Sequence, residues 1–457
     1  MTEPCDLSAH DQLDLLRSRK ISAVELLDAH LVRIAEVNPS LNAIVALNPD
    51  VGRARATAVD ARSAAGEYAG PLAGLVTAHK DLTDTKDFPT TYGSPIYADH
   101  RPTEDSLLVR RMTEAGAVAV GKTNTPELGA GSHTFNPIYG TTLNPFDTTR
   151  AAGGSSGGAG VALQSGMVAI ADGSDLGGSL RNPAAWNNVV GFRTSMGVIP
   201  HPKADNPYAS FGITGAMGRS VDDMALLLSV LAAPDVRDPT NRGLQVPTRI
   251  SPVGGPVRVA WSETLGGLPI EPEITSVVSG LRSICDSLGW QVTEAEPDFS
   301  GADRAFETLR SWGIANSPEA KLTDRLPEMK QTIQDEIRRG QALTGADIAD
   351  ALAVTKLLWD RAISFFSDVD VLIAPVTQVS PFPIGQEYPT EINGVPMERY
   401  ITWMRVASRI TQMGLPALSL PAGFTAAGLP VGAQLIGAPR GDLALLQIAK
   451  TLESAAG

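Results

Sequence analysis

The stretch from Gly153 to Pro183 sets the tightest conditions on any fold of this chain. It reads Gly153-Gly154-Ser155-Ser156-Gly157-Gly158-Ala159-Gly160, then an apolar run, then Gly173-Ser174-Asp175-Leu176-Gly177-Gly178-Ser179-Leu180-Arg181-Asn182-Pro183. Val161 to Gln164 suits a helix that starts on the first Gly-rich loop, and Val168-Ala169-Ile170-Ala171 reads as a short buried strand. The predicted unit is therefore loop, helix, strand, loop. Glycine beside a hydroxyl lets the backbone bend where a side chain would clash, and leaves N–H groups pointing at whatever the hydroxyl attacks. An oxyanion hole has that geometry. One Gly/Ser cluster is ordinarily a surface turn or a linker; two clusters separated by a core strand are harder to account for in that way.

The flanking segments alternate helix and strand. Ser22 opens an amphipathic helix in which Val24, Leu26, Leu27, Leu31, Ile34 and Val37 recur at helical spacing, and Asn38-Pro39 is expected to stop it. A second helix is predicted over about 51–66, after which residues 70–81 read as a turn feeding a strand that ends on Lys80. A lysine there is notable, because strands buried on both faces seldom tolerate a charge; the plain alternative is a side chain that reaches solvent from the strand end. A helix-like run at 106–112 precedes a strand at 117–120, and residues 129–152 make a long Gly/Asn/Pro-rich loop of the kind that usually carries function. Further strands are predicted at 258–261, 290–292, 369–375, 417–420 and 432–437, with helices from 222, over 274–288 and over about 442–455. Residues 302–366 read as helical throughout, an insertion or cap. This alternation predicts an α/β fold with a largely parallel, helix-covered sheet, and the lack of linkers predicts one domain over 1–457.

Composition removes several function classes. With 43% hydrophobic and 19% charged residues the chain matches an ordinary soluble protein, and no apolar run approaches the ~20 residues of a membrane span. Met1-Thr2-Glu3-Pro4-Cys5-Asp6 has no basic region followed by an apolar stretch, so a cytoplasmic location is expected. Two cysteines, Cys5 and Cys285, cannot build a disulfide framework. The net charge of −13 argues against general affinity for nucleic acid or anionic membranes.

The six histidines, His10, His30, His79, His100, His133 and His201, are scattered without metal-ligand spacing, and no phosphate-binding glycine motif follows a strand. No metal or other cofactor is expected. Ser155 and Ser156 each satisfy the G-x-S-x-G pattern of a nucleophile elbow, which would make a Ser-Asp-His esterase the rival reading. That arrangement needs a histidine well downstream, and only His201 follows, close behind the motif. A serine can instead be activated by a neutral lysine, and Lys80 supplies one.

Here the chain resembles the amidase signature family. The resemblance rests on Gly153-Gly154-Ser155-Ser156-Gly157-Gly158, on Gly173 to Ser179 with Arg181, and on the 75 positions from Lys80 to Ser155 and 24 from Ser155 to Ser179. It extends from the helix at Ser22 through Gly121-Lys122-Thr123-Asn124 to Leu415-Pro416-Ala417 and Leu429-Pro430-Val431-Gly432. The resemblance implies a large mixed, mostly parallel sheet covered by helices on both faces, with a helical cap at about 302–366. It implies a Ser-cisSer-Lys triad in which Ser179 is the acylated nucleophile, Ser155 the bridge behind a cis peptide bond, and Lys80 the base. The N–H groups of Leu176, Gly177, Gly178 and Ser179 would form the oxyanion hole, while Asp175 and Arg181 would order the loops and Ser156 would pack locally. Two departures bear on specificity: Leu176 stands where many members carry Thr, and His79-Lys80-Asp81-Leu82 replaces the commoner Val-Lys-Asp-Asn.

The expected reaction is hydrolysis of amide C–N bonds through an acyl-enzyme, with aryl or apolar amides favoured and esters and carbamates (urethanes) as further substrates. The expected pocket includes Leu128, Gly129, Ala130, Gly131 and Ser132, with apolar walls from Phe135, Ile138, Tyr139, Leu143, Trp312, Trp359, Phe365 and Phe366. A small-molecule amide or carbamate is the expected partner, the chain acting as monomer or homodimer without nucleic acid or membrane. The glutaminase subunit of a tRNA-dependent amidotransferase is the second reading, and a silent binding protein on the same fold the third. Thr125-Pro126-Glu127-Leu128-Gly129 resembles the free-standing amidases more than the glutaminase subunit.

Overall fold

Ser8 caps helix α1 (Ala9–Arg17), and Ser22 closes a full capping box with Glu25 at the start of α2 (Ala23–Leu41), so both N-terminal helices begin where a hydroxyl satisfies free N–H groups. Pro39 does not end α2. It lies in the last turn, where only one backbone bond is lost, and the left-handed Asn42 terminates the helix. The computed structural model describes residues 3–202, 206–208 and 211–456; Met1, Thr2 and Gly457, at the limits of the single-domain reading, lie outside the described residues.

Strand β1 (Ile44–Val45), helix α3 (Pro49–Ala64), strand β2 (Val76–Lys80), helix α4 (Leu107–Glu114) and strand β3 (Val118–Thr123) follow. The three strands form a small sheet of order β1-β3-β2, in which β2 and β3 are parallel and Lys80 pairs with Thr123. The hairpin β4 (Phe135–Asn136) and β5 (Gly140–Thr141) interrupts the long loop. Then come α5 (Gly157–Gln164), β6 (Ala171–Asp175), α6 (Arg181–Trp186), β7 (Val190–Arg193), β8 (Ile213–Gly218) and α7 (Val221–Leu231). The strand expected at 168–171 therefore starts only at Ala171 and runs through Gly173 and Ser174, because the apolar residues before it are a buried connection. Pairing with β8 begins at Ala171.

Next are β9 (Arg258–Trp261), α8 (Pro272–Ser287) and β10 (Gln291–Glu294), then the helical region of α9 (Ala302–Ala315), α10 (Gln331–Gln341) and α11 (Gly345–Phe365). The chain returns through β11 (Val371–Pro375), the hairpin β12 (Glu391–Ile392) and β13 (Val395–Pro396), α12 (Arg405–Gln412), β14 (Ala417–Phe424), β15 (Pro430–Gly437) and α13 (Asp442–Ala456).

The main sheet has eight strands in the order β10-β9-β11-β15-β14-β7-β8-β6. It is mixed, but the mostly parallel arrangement is corrected: only β10/β9 and β9/β11 run parallel, and the pairs from β11 onward are antiparallel. The reason lies in the connections. A short turn joins β14 to β15, whereas parallel neighbours need a crossover. Helices cover both faces. Positions five apart on a strand point to opposite sides, and a Cβ at Gly432 would meet Ala185 of α6 whereas one at Gly437 would meet Leu445 of α13. The two cores so formed explain why Val371 to Ala374 and Ala433 to Ile436 are buried without alternation.

For the site, one feature of this layout matters most. Lys80 ends a strand of the small sheet, and Ser174 lies on β6, the edge strand of the large one.

Candidate active site

Every residue of β2 is buried, so Lys80 does not reach solvent; it is 1% exposed. Its Nζ lies 2.7 Å from Ser155 Oγ, 2.9 Å from Ser156 Oγ and 3.0 Å from Ser174 Oγ. Burial lowers the Lys80 pKa from its ordinary value to about 7, against the charges of Asp172 and Asp175, which favour the ammonium. A neutral amine has two N–H donors and one lone pair, which three surrounding hydroxyls satisfy.

The serines are held by close backbone approach. A Cβ at Gly158 would lie 2.3 Å from the Asn124 nitrogen, so only glycine lets α5 begin against the end of β3. The Gly154–Ser155 peptide bond is cis. The two glycine loops meet directly: the Ser156 N–H donates to the Ser179 carbonyl at 3.1 Å. Ser156 also accepts from the Ser174 N–H at 3.3 Å, so its hydroxyl binds the two loops together.

Asp175 and Arg181 are both fully buried and paired through two contacts, 2.9 and 3.0 Å. Burial alone would raise the Asp175 pKa. Arg181, Arg193 and the Gly178 N–H more than reverse this and hold the carboxyl well below the usual range. Arg181 continues to the Ala407 carbonyl, Gln434 and Thr411, which ties the loop to α12 and β15. The pair is thus an internal tie and not a surface salt bridge.

This arrangement corrects one expectation. The Gly178 N–H donates to Asp175 Oδ1 at 2.9 Å and shapes the turn, so it is already committed. Leu176, Gly177 and Ser179 have N–H groups with no acceptor among the described residues. Those three line a narrow, partly open cleft of about 40 Å³ with Gly129, Gly131, Phe306, Arg310, Tyr400, Ile401 and Met404. Of Ser155, Ser156 and Ser179, only Ser179 lines it.

The pocket residues divide. Gly129 and Gly131 line the cleft. Leu128 and Ala130 do not; they pack in a satellite cluster with Ile96, Met329 and Ile333. Ser132 is buried as scaffold, where its Oγ accepts from Trp403 Nε1 at 2.9 Å. Of the expected aromatic walls, Phe366 lies in the main core with Phe365 packed on it, Phe135 faces the Lys330 ammonium, which also lies over Tyr400, and Trp312 packs in the same satellite cluster as Leu176; none of these four aromatics is among the cleft-lining residues. Phe306 and Arg310, one turn apart on α9, supply part of the wall, so the helical region does reach the cleft. Tyr400, Ile401 and Met404 carry no sequence signal and reach the site only through tertiary packing.

No described histidine ring is hydrogen-bonded to a triad serine. His10 bonds Thr248, His30 bonds Gly166 and Gln12, His79 bonds Asp172, and His133 bonds Ile384. The nucleophile-elbow reading finds no base among these rings.

A family model described as amidase matches residues 25–446. The chain belongs to the amidase family. It is 34% identical to an acylamidase of Rhodococcus erythropolis over 98% of this chain and 95% of the relative. It is 32% identical to a glutamyl-tRNA(Gln) amidotransferase component of Heliobacterium modesticaldum, over 98% of this chain and 97% of that one. Among solved structures it superposes on a bacterial aryl acylamidase with a TM-score of 0.90 at 27% identity, covering 98% of this chain and 96% of the other. This amidase is an enzyme that hydrolyses amides, on the large helix-wrapped mixed sheet of its family. Among the described residues, no helix is long and apolar enough to cross a membrane.

Proposed function

We propose that this amidase is a free-standing hydrolase of aryl and apolar amides that works through an acyl-enzyme on Ser179. The observation that carries the reading is the fully buried Lys80 Nζ, surrounded by hydroxyls from both glycine loops and held near neutrality. Ser179 Oγ attacks the carbonyl as its proton passes to Ser155 and the Ser155 proton to Lys80. The N–H groups of Leu176, Gly177 and Ser179 receive the oxyanion. The relay then returns a proton to the leaving nitrogen, and water repeats the sequence to release the acid.

The lining of the cleft supports this substrate class. Leu176, Phe306, Ile401 and Met404 offer apolar surface to an aryl or alkyl group, and esters or aryl carbamates present the same carbonyl. The chain is read as one domain with 302–366 as its cap, acting as a monomer or homodimer without nucleic acid. Two unpaired, buried cysteines are compatible with a cytoplasmic setting.

One observation favours the glutaminase-subunit reading. Arg310 is a cation in the cleft, where a glutamine carboxylate would find it. Against this, Arg310 already has a buried counter-anion, Glu336 at 2.8 Å, and bonds the Tyr400 hydroxyl, so its charge is compensated before any glutamine carboxylate arrives. Kinetics of the purified chain on an apolar anilide and on glutamine decide between them. We expect kcat/KM for the anilide to exceed that for glutamine by at least about 10²-fold; equality or a preference for glutamine removes the aryl-amide reading.

A further inference from the structure

Behind Lys80 lies a buried pair that none of these steps uses. His79 and Asp172 are both fully buried, with His79 Nδ1 2.8 Å from Asp172 Oδ1. The second carboxylate oxygen accepts from the Lys80 N–H at 3.3 Å and from Thr83 Oγ1 at 3.2 Å. Asp172 therefore holds the chain at three points around the lysine. It also sits on β6 two positions before Ser174, whose hydroxyl touches Lys80 Nζ.

The placement matters because β2 and β6 belong to different sheets, so no ladder fixes the height of Lys80 against Ser174. At the base of β2, Ala169 N–H bonds Val76 and the Thr77 hydroxyl bonds Ile170. At the Lys80 end, the Asp172 clamp takes over that task. The charges are arranged to match. Lys80 faces Asp172 and Asp175. Asp175 is matched by Arg181 and Arg193, and Asp172 by His79 and Lys122, whose own carboxylate neighbours are Asp81, Asp84 and Asp105.

We propose that Asp172, oriented by His79, is the positioning residue of the base: it fixes Lys80 in register with the serines and supports its proton affinity. The proposal rests on Lys80 being the base. A carboxylate near an ammonium favours the charged form, so removing it should make Lys80 easier to deprotonate while the lost clamp lets Nζ drift from Ser155.

The test is the pH profile of kcat/KM on an anilide for the wild type, Asp172→Asn, His79→Val, His79→Gln and Lys80→Met. In Asp172→Asn the acidic limb is expected to move to lower pH by about one unit, and the plateau to fall by about 10²-fold from misplacement. In His79→Val the carboxylate loses its ring partner, so the charge facing Lys80 is less compensated and the limb moves to higher pH; His79→Gln, which keeps a donor, recovers most of the loss. A fall in the plateau with the limb unmoved in both Asp172→Asn and His79→Val overturns the proposal. Should Asp172→Asn not fold, His79→Val carries the same decision. If Lys80→Met keeps the wild-type limb and activity, the reading of Lys80 as base fails instead, a distinguishable result.

Discussion

Lys80 shows how one side chain acquires a role through its surroundings. Exposed, it would be charged at neutral pH and useless as a base; buried among Ser155, Ser156 and Ser174, its pKa falls to about 7. In the proposed mechanism the competent amine is the deprotonated form. Activity should therefore be low below pH 7 and rise through pH 7 to a plateau, as measured by kcat/KM for an anilide. Ser179→Ala removes the only triad serine that faces the cleft, so turnover should drop by several orders of magnitude while the circular dichroism spectrum stays unchanged. Ser155→Ala should cost less, because a water can take the bridging position. Phosphonylation by a serine-directed phosphonate that persists in Ser179→Ala would move the nucleophile to another hydroxyl.

At the scale of elements, the site is a junction. The β6–α6 turn carries Leu176 to Ser179, and its shape is set by Asp175, which accepts from the N–H groups of Gly178 and Leu180 and from Arg181. Arg181 in turn fastens α6 to α12 and β15. Replacing one member of a buried ion pair leaves the other uncompensated. Arg181→Met is thus expected to lose about 3–5 kcal/mol of stability by denaturant unfolding, and activity with it. A loss below about 1 kcal/mol would mean that the turn holds its shape without the pair. Sequence pattern located most of these elements, including β2 ending on Lys80 and the helical run over 302–366. It missed β7 and β8, short strands without a strong apolar alternation, and it misjudged strand direction because alternation along the chain says nothing about which way a neighbour in space runs.

For the whole molecule, every residue lining the cleft, from Gly129 to Met404, comes from this one chain. The purified chain is expected to hydrolyse an anilide with no protein or nucleic acid added, and to elute as monomer or homodimer in gel filtration. An absolute requirement for a partner would favour the amidotransferase reading.

The sequence alone carried the expectation of the chemistry at the centre. Ser155 and Ser179 in glycine-rich loops at a spacing of 24, with Lys80 upstream at the end of an apolar strand, resemble the family's pattern, and the glycine loops themselves can be read from residue types. Tertiary structure decided the rest. The Gly178 N–H, expected in an oxyanion hole, bonds Asp175 instead, a choice made by the geometry of one turn. Ser132 became scaffold through Trp403, 271 positions away, and Phe306, Arg310, Tyr400 and Met404 came to the cleft through packing between helices far apart in the chain. Such contacts depend on which faces meet across the core, and a period of two or of 3.6 residues specifies only that a face exists.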